Sequence, residues 1–132
     1  MARRRKLKKI TIKEIEWHDA QINDIRIESN KDAYDSIRIT ISSENFVDEY
    51  NTNTLIIILQ EVFKAKFKMN MWITGNDVIN TVSVKNDSEW IRQIRKGKKE
   101  NFGPKNITHF SIKTNTNSCL EFLITKDLIL DF

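Results

Sequence analysis

His18 and Asp19 stand side by side in Trp17-His18-Asp19-Ala20; the chain has one other histidine, His109, and one cysteine, Cys119. These residue types bind metals or activate nucleophiles. A His-Asp pair fits metal-dependent hydrolysis, with both side chains as ligands, or base catalysis, with the carboxylate orienting the imidazole. Either chemistry needs further partners. A zinc or binuclear site takes three or four ligands at workable spacing, which two distant histidines and one cysteine do not offer. No P-loop, Gly-x-Ser-x-Gly elbow or dinucleotide fingerprint occurs, and three glycines could hardly build one. Neighbours on a strand point to opposite faces, so His18 and Asp19 form an oriented pair only where the chain bends between them. The expectation is therefore no catalytic set, no metal and no cofactor. The residual enzyme reading is a metal site of His18, Asp19 and His109. The preferred one is structural: polar side chains satisfying backbone groups at a strand corner, with Trp17 buried beneath them.

Composition sets the frame for those residues. A chain of 132 residues suits one domain with one core. An apolar fraction of 39% with 30% charged residues belongs to a globular chain rather than a disordered one. A single cysteine excludes an internal disulfide and points to a reducing compartment, so a cytoplasmic location is expected. The longest apolar run, Leu55 to Leu59, is far short of a membrane span, and no apolar stretch follows the basic start to make a secretory signal. The net charge of +4 is unevenly spread. Residues 1–9 carry six positive charges and are expected to form a disordered basic tail ahead of one β-rich domain, 10–132. Residues 10–61 hold four basic and eleven acidic groups, whereas residues 62–113 hold eleven basic and four acidic.

Most of the periodicity is that of β-structure. Ile10 and Ile12 alternate, and Ile15 and Trp17 continue one residue out of phase, which suggests a bulge near Lys13-Glu14. Ile25 and Ile27 mark a second strand, and Ile37, Ile39 and Ile41 a third. Residues 42–53 read as a polar loop, and Leu55 to Leu59 as a strand covered on both faces. Phe63, Ala65, Phe67, Met69, Met71 and Ile73 then alternate with Lys64, Lys66, Lys68 and Asn70, giving a long half-buried strand with a lysine row outside. Residues 79–84 form another strand. Ser88 to Lys96 reads as the one helix, capped by Asp87 or Ser88 and stopped at Gly97. A last hairpin, Phe110 to Ile124, turns at residues 115–118, and residues 128–132 add an edge strand. The fold class expected is α+β: an antiparallel curved sheet or sandwich with one short helix packed on it.

Two surfaces are candidates for binding. Acidic groups interleave with aromatics in the first half, so Asp32, Tyr34, Asp35, Asp48, Glu49 and Tyr50 are the expected contacts for a basic protein partner. Lys64, Lys66 and Lys68 stand about 6.5 Å apart on one strand face and, with Arg92, Arg95 and the basic tail, form the alternative, a nucleic-acid surface. Phe63 and Phe67 fall with the core set, which leaves that face without stacking aromatics.

Several local patterns resemble a group of small, uncharacterised bacterial proteins classed with immunity proteins of polymorphic toxin systems. They are Trp17-His18-Asp19-Ala20 with Ile22, Ile25 and Ile27; Asp35-Ser36-Ile37; and Leu59-Gln60-Glu61-Val62-Phe63. Asn70 to Ile73 before Gly75-Asn76-Asp77, and His109 to Thr114 ahead of Leu120-Glu121-Phe122, complete the match. The Arg-rich start lies outside it. The resemblance implies a β-rich fold and a non-catalytic binding protein that neutralises a toxin by direct contact. It supplies no catalytic residues.

Overall fold

The computed structural model describes residues 6–29, 35–69, 77–96, 106–125 and 127–132. Alternating isoleucines, leucines and aromatics make eight antiparallel strands: β1 (Leu7–Ile10), β2 (Gln21–Glu28), β3 (Asp35–Ser42), β4 (Thr54–Lys68), β5 (Ile79–Lys85), β6 (Thr108–Thr114), β7 (Cys119–Ile124) and β8 (Leu128–Asp131). A one-turn helix α1 (Val47–Tyr50) precedes β4, and α2 (Glu89–Lys96) follows β5. The α+β expectation holds: one curved antiparallel sheet with one short helix on it.

β4 organises the sheet. Its first half pairs with β3 on one side and β8 on the other, and its second half pairs with β7. β7 and β8 follow one another along β4 as a single bent strand, whose far side carries β6 and then β1. β5 extends the sheet beyond β6, and β2 extends it beyond β3. The sheet curls until these two outer strands meet. Gln21 bridges Val78, Asp19 and Ile22 donate their N–H groups to Ile79 and Asp77, and Ile79 donates back to Ala20. The result is a half-barrel pinched shut at one end.

The core lies inside the curl. Ile37, Ile39 and Ile41 of β3 meet Leu55, Ile57 and Leu59 of β4, with Phe110, Ile112, Leu120 and Phe122 from the last hairpin. Trp17 closes this core at the corner between β1 and β2. Its Nε1 donates to Ile12 O at 2.7 Å and its ring lies 5.4 Å from that of Phe110. A smaller cluster sits on the outer face, where Ile91 of α2 packs on Leu123 and Ile107 beside Phe63, Trp90 and Ile94. Burying such a stripe is what holds a helix of eight residues, too short to persist alone.

Several expectations change. Leu7–Lys9, expected within the basic tail, pair with β8 as part of β1; residues 1–5 lie outside the described ones. The phase slip after Ile10 is a single 3-10 turn, Ile12–Glu14, rather than a bulge within a strand. The loop at 42–53 contains a further 3-10 turn and α1. The two strands expected between Leu55 and Ile73 are one fifteen-residue strand, with register shifts opposite Asp35/Ile37 and between Val62 and Lys64. Met71 and Ile73 lie outside the described residues. β8 is interior rather than an edge, since it pairs with both β1 and β4. Among the described residues, no helix is long and apolar enough to cross a membrane.

Candidate functional site

The outer face of β4, β7, β6 and β5 is built from side chains that alternate away from the core. Cross-strand register arranges them in three rows: Lys68, Cys119, Lys113 and Thr81; Lys66, Glu121, Ser111 and Ser83; Lys64, Leu123, His109 and Lys85. Five lysines on this face are exposed. Glu121 is the one carboxylate in these rows, and it is engaged by its neighbours on β6. His109 Nε2 lies 3.0 Å from Glu121 Oε1, and Ser111 Oγ donates to the same oxygen at 3.5 Å.

The phase of β4 explains why aromatics reach this face. The register shift after Val62 turns Phe63 outward to join Trp90 of α2, while Ala65 and Phe67 resume the inner phase and Phe67 contacts Phe122 edge-on. Phe63 therefore does not belong to the inner core, and the expectation of a lysine row without aromatics is overturned. Lys66 Nζ stands 4.1 Å from the centroid of the Trp90 ring, a cation–π contact worth about 0.5–1 kcal/mol at an exposed site. Arg92 Nε pairs with Asp87 at 3.2 Å on the exposed side of α2. Arg95 lies on the same helix, and its side chain is outside the described residues.

Behind the lysine rows runs a chain of hydrogen bonds that joins the helix to the sheet. Ser88 Oγ caps α2 by accepting Ile91 N–H at 3.2 Å, and the same oxygen lies 2.9 Å from His109 Nδ1. A carboxylate only accepts, so Nε2–H points to Glu121, and Nδ1 faces the Ser88 hydroxyl. Trp90 meets the imidazole edge-on at 5.3 Å. Serine, histidine and glutamate are thus connected, but with the ring nitrogens used in the reverse of the order found in hydrolase triads, and the serine is a buried helix cap. The arrangement fixes α2 on the sheet and holds the Glu121 carboxylate under the lysines. The sequence pattern offers Ser88 as a helix cap but gives no sign of its contact with His109. The register of the last hairpin, however, already places Glu121 opposite Ser111 and diagonal to His109.

The other candidate residues are scattered. His18 and Asp19 form a tight turn in which Asp19 has φ 67°, so the bend does bring them together, Nε2 to Oδ1 at 3.4 Å. Both side chains are about two-thirds exposed, and His18 Nδ1 lies 2.9 Å from Asn80 O, the backbone role expected of a strand corner. His109 belongs to the opposite, outer face of β6. No group of three or more His, Cys, Asp or Glu suited to a metal occurs among the described residues. Asp48 and Glu49 are exposed on α1, and Asp35 is exposed at the start of β3. Tyr50 is a correction: it is only 5% exposed, stacked edge-on against Phe132 at 5.2 Å, and so cannot be a surface anchor. Phe46 is buried beside it. Asp32 and Tyr34 lie outside the described residues.

Two groups have displaced protonation equilibria. Burial, and then the negative charge and hydrogen bonding of Glu49, raise the Tyr50 phenol above its ordinary value. Burial and Glu121 raise the Cys119 thiol, while Lys113 and Lys68 act in the opposite direction.

No protein-family model, curated protein or solved structure matches the chain.

Proposed function

We propose that this is a non-catalytic binding protein of immunity type, which acts in the bacterial cytoplasm by covering the working surface of a toxin. The observation that carries the reading is the division of charge across one rigid sheet. Asp24, Asp35, Glu44, Asp48 and Glu49 are exposed on the β2–β3–α1 side, while five lysines occupy the outer face of β4 to β6. Opposite charges kept apart on a fixed frame orient an approaching partner and raise its association rate. Buried Phe46 and Tyr50 pin α1, so Asp48 and Glu49 are presented without the entropy cost of a free loop. The local patterns around Trp17, Asp35 and His109 support the same reading by resemblance. The experiment pairs the chain with the product of the neighbouring reading frame. Co-expression should relieve growth arrest, and D24K/D48K, both at exposed positions, should slow association about tenfold at low salt without altering melting. Growth arrest that persists despite intact protein would overturn the proposal.

The lysine rows favour a second reading, a nucleic-acid-binding module. Lys64, Lys66, Lys68, Lys85 and Lys113 share one exposed face with Trp90 beside them. Each phosphate neutralised contributes a slope of roughly 0.7–0.9 to the fall of log affinity with log salt. Binding of random single strands should therefore weaken steeply with salt, and K64Q/K66Q/K68Q should flatten that dependence. A flat salt response in the unaltered protein excludes this reading.

A further inference from the structure

The strand row along the far side of β7–β8 has a gap. β6 begins at Thr108 opposite Ile124, and β1 ends at Ile10 opposite Leu128. The bend between them is held from the β4 side, where Thr125 N–H donates to Glu61 O and Gln60 Nε2 donates to Asp127 O. On the other side the gap opens a slot of about 860 Å³, within the range of small-molecule sites. Its two ends differ in chemistry. Its apolar lining is offered by the half-buried Val84 and Ile129, while Ile124 and Leu128 beneath them are buried in the core. The mouth carries Lys9, Lys13 and the amides of Asn86 and Asn106. Among the described residues of the lining Asp127 is the one carboxylate, and Lys9 Nζ stands 3.6 Å from it, so Lys13 has no carboxylate partner among them.

We propose that this slot binds a small amphipathic monoanion, with its apolar body on Val84 and Ile129 and its acid group at Lys13. The apolar lining selects a hydrocarbon body, and Lys13, a cation without a carboxylate partner among the described lining residues, selects a negative charge. The slot lies apart from both the acidic side and the lysine rows, so the inference stands independently of the toxin reading.

The test titrates the intact chain with octanoate, octyl phosphate and, as the neutral comparator, octan-1-ol, and follows methyl resonances by NMR. A carboxylate-selective site responds to octanoate and a phosphate-selective one to octyl phosphate; either result supports the proposal. Saturable shifts should be confined to Val84 and Ile129 and to the methyls of Ile124 and Leu128 directly beneath them, with the alcohol weaker by about tenfold, the scale of one charge-assisted contact. Lys13→Gln, an exposed substitution, should reduce the anion to the affinity of the alcohol, while Lys113→Gln on the outer face should change nothing. Equal binding of the alcohol, shifts located elsewhere, or no saturation by either anion would overturn it.

Discussion

Tyr50 shows how far one side chain's environment departs from what its type suggests. An aromatic among acidic residues looks like a contact for a partner, yet Tyr50 lies against Phe132 inside the fold, and burial with Glu49 nearby raises its phenol. The folded state thus favours the protonated form. That contribution to stability is fully present below the free tyrosine value of about 10 and is lost as pH rises through the higher folded value. Tyr34→Phe leaves Tyr50 as the only tyrosine, and its phenolate absorbance should develop above the pH range of a free phenol. Titration at the free value would show that the ring is not held as described. Cys119 behaves similarly. Its alkylation should follow a raised thiol value, and Lys113→Gln should raise that value further by removing a cation that favours the thiolate. Ser88 serves helix and sheet at once, so Ser88→Ala removes the cap and unpairs His109 Nδ1 together. The loss should be about 1–2 kcal/mol in urea unfolding.

At the level of elements, the sequence carries the strands and the helix but not their junctions. Period-two runs at Ile37–Ile41 and in the last hairpin appear where expected, because each strand's inner face must be apolar whatever its neighbours are. Ser88, Glu89 and the Ile91–Ile94 stripe likewise locate α2, since capping and amphipathicity are local properties. The fusion of two apparent strands into β4 is not legible. Register shifts such as that between Val62 and Lys64 depend on which partner pairs with each half, and β3 and β7 come from distant parts of the chain. The same shift turns Phe63 outward, so the aromatic content of the lysine face is hidden as well. Junction chemistry predicts specific costs. Asn51 ends α1 with φ 55° and donates its N–H to Val47 O, so Asn51→Gly should be neutral or stabilising, whereas Asn51→Val should cost about 1–2 kcal/mol. Trp17→Ala at the β1–β2 corner should cost about 3–5 kcal/mol by thermal or chemical unfolding. Since a domain's whole stability is about 5–15 kcal/mol, Trp17→Phe is the usable variant; beyond the loss in ring size, it removes the bond to Ile12 O, worth about 1 kcal/mol.

For the molecule as a whole, the charge imbalance legible in the sequence becomes spatial. The acidic first half and the basic second half take opposite parts of one sheet, because β4 stands between them and belongs to both. Lys6 and Phe132 exchange backbone hydrogen bonds, which brings the first and last strands together. β8, which follows the other seven strands in sequence, is inserted between β1 and β4, strands that do not pair with one another among the described residues. Synthesis therefore delivers this wedge only after the strands it joins. Until Leu128 and Leu130 emerge, Ile10 and Ile57 lack their inner-face neighbours, and the nascent chain presents an open, sticky edge. Folding should accordingly be slow for a domain of this size, and a chain halted before Leu128 should need a chaperone where one that includes β8 does not.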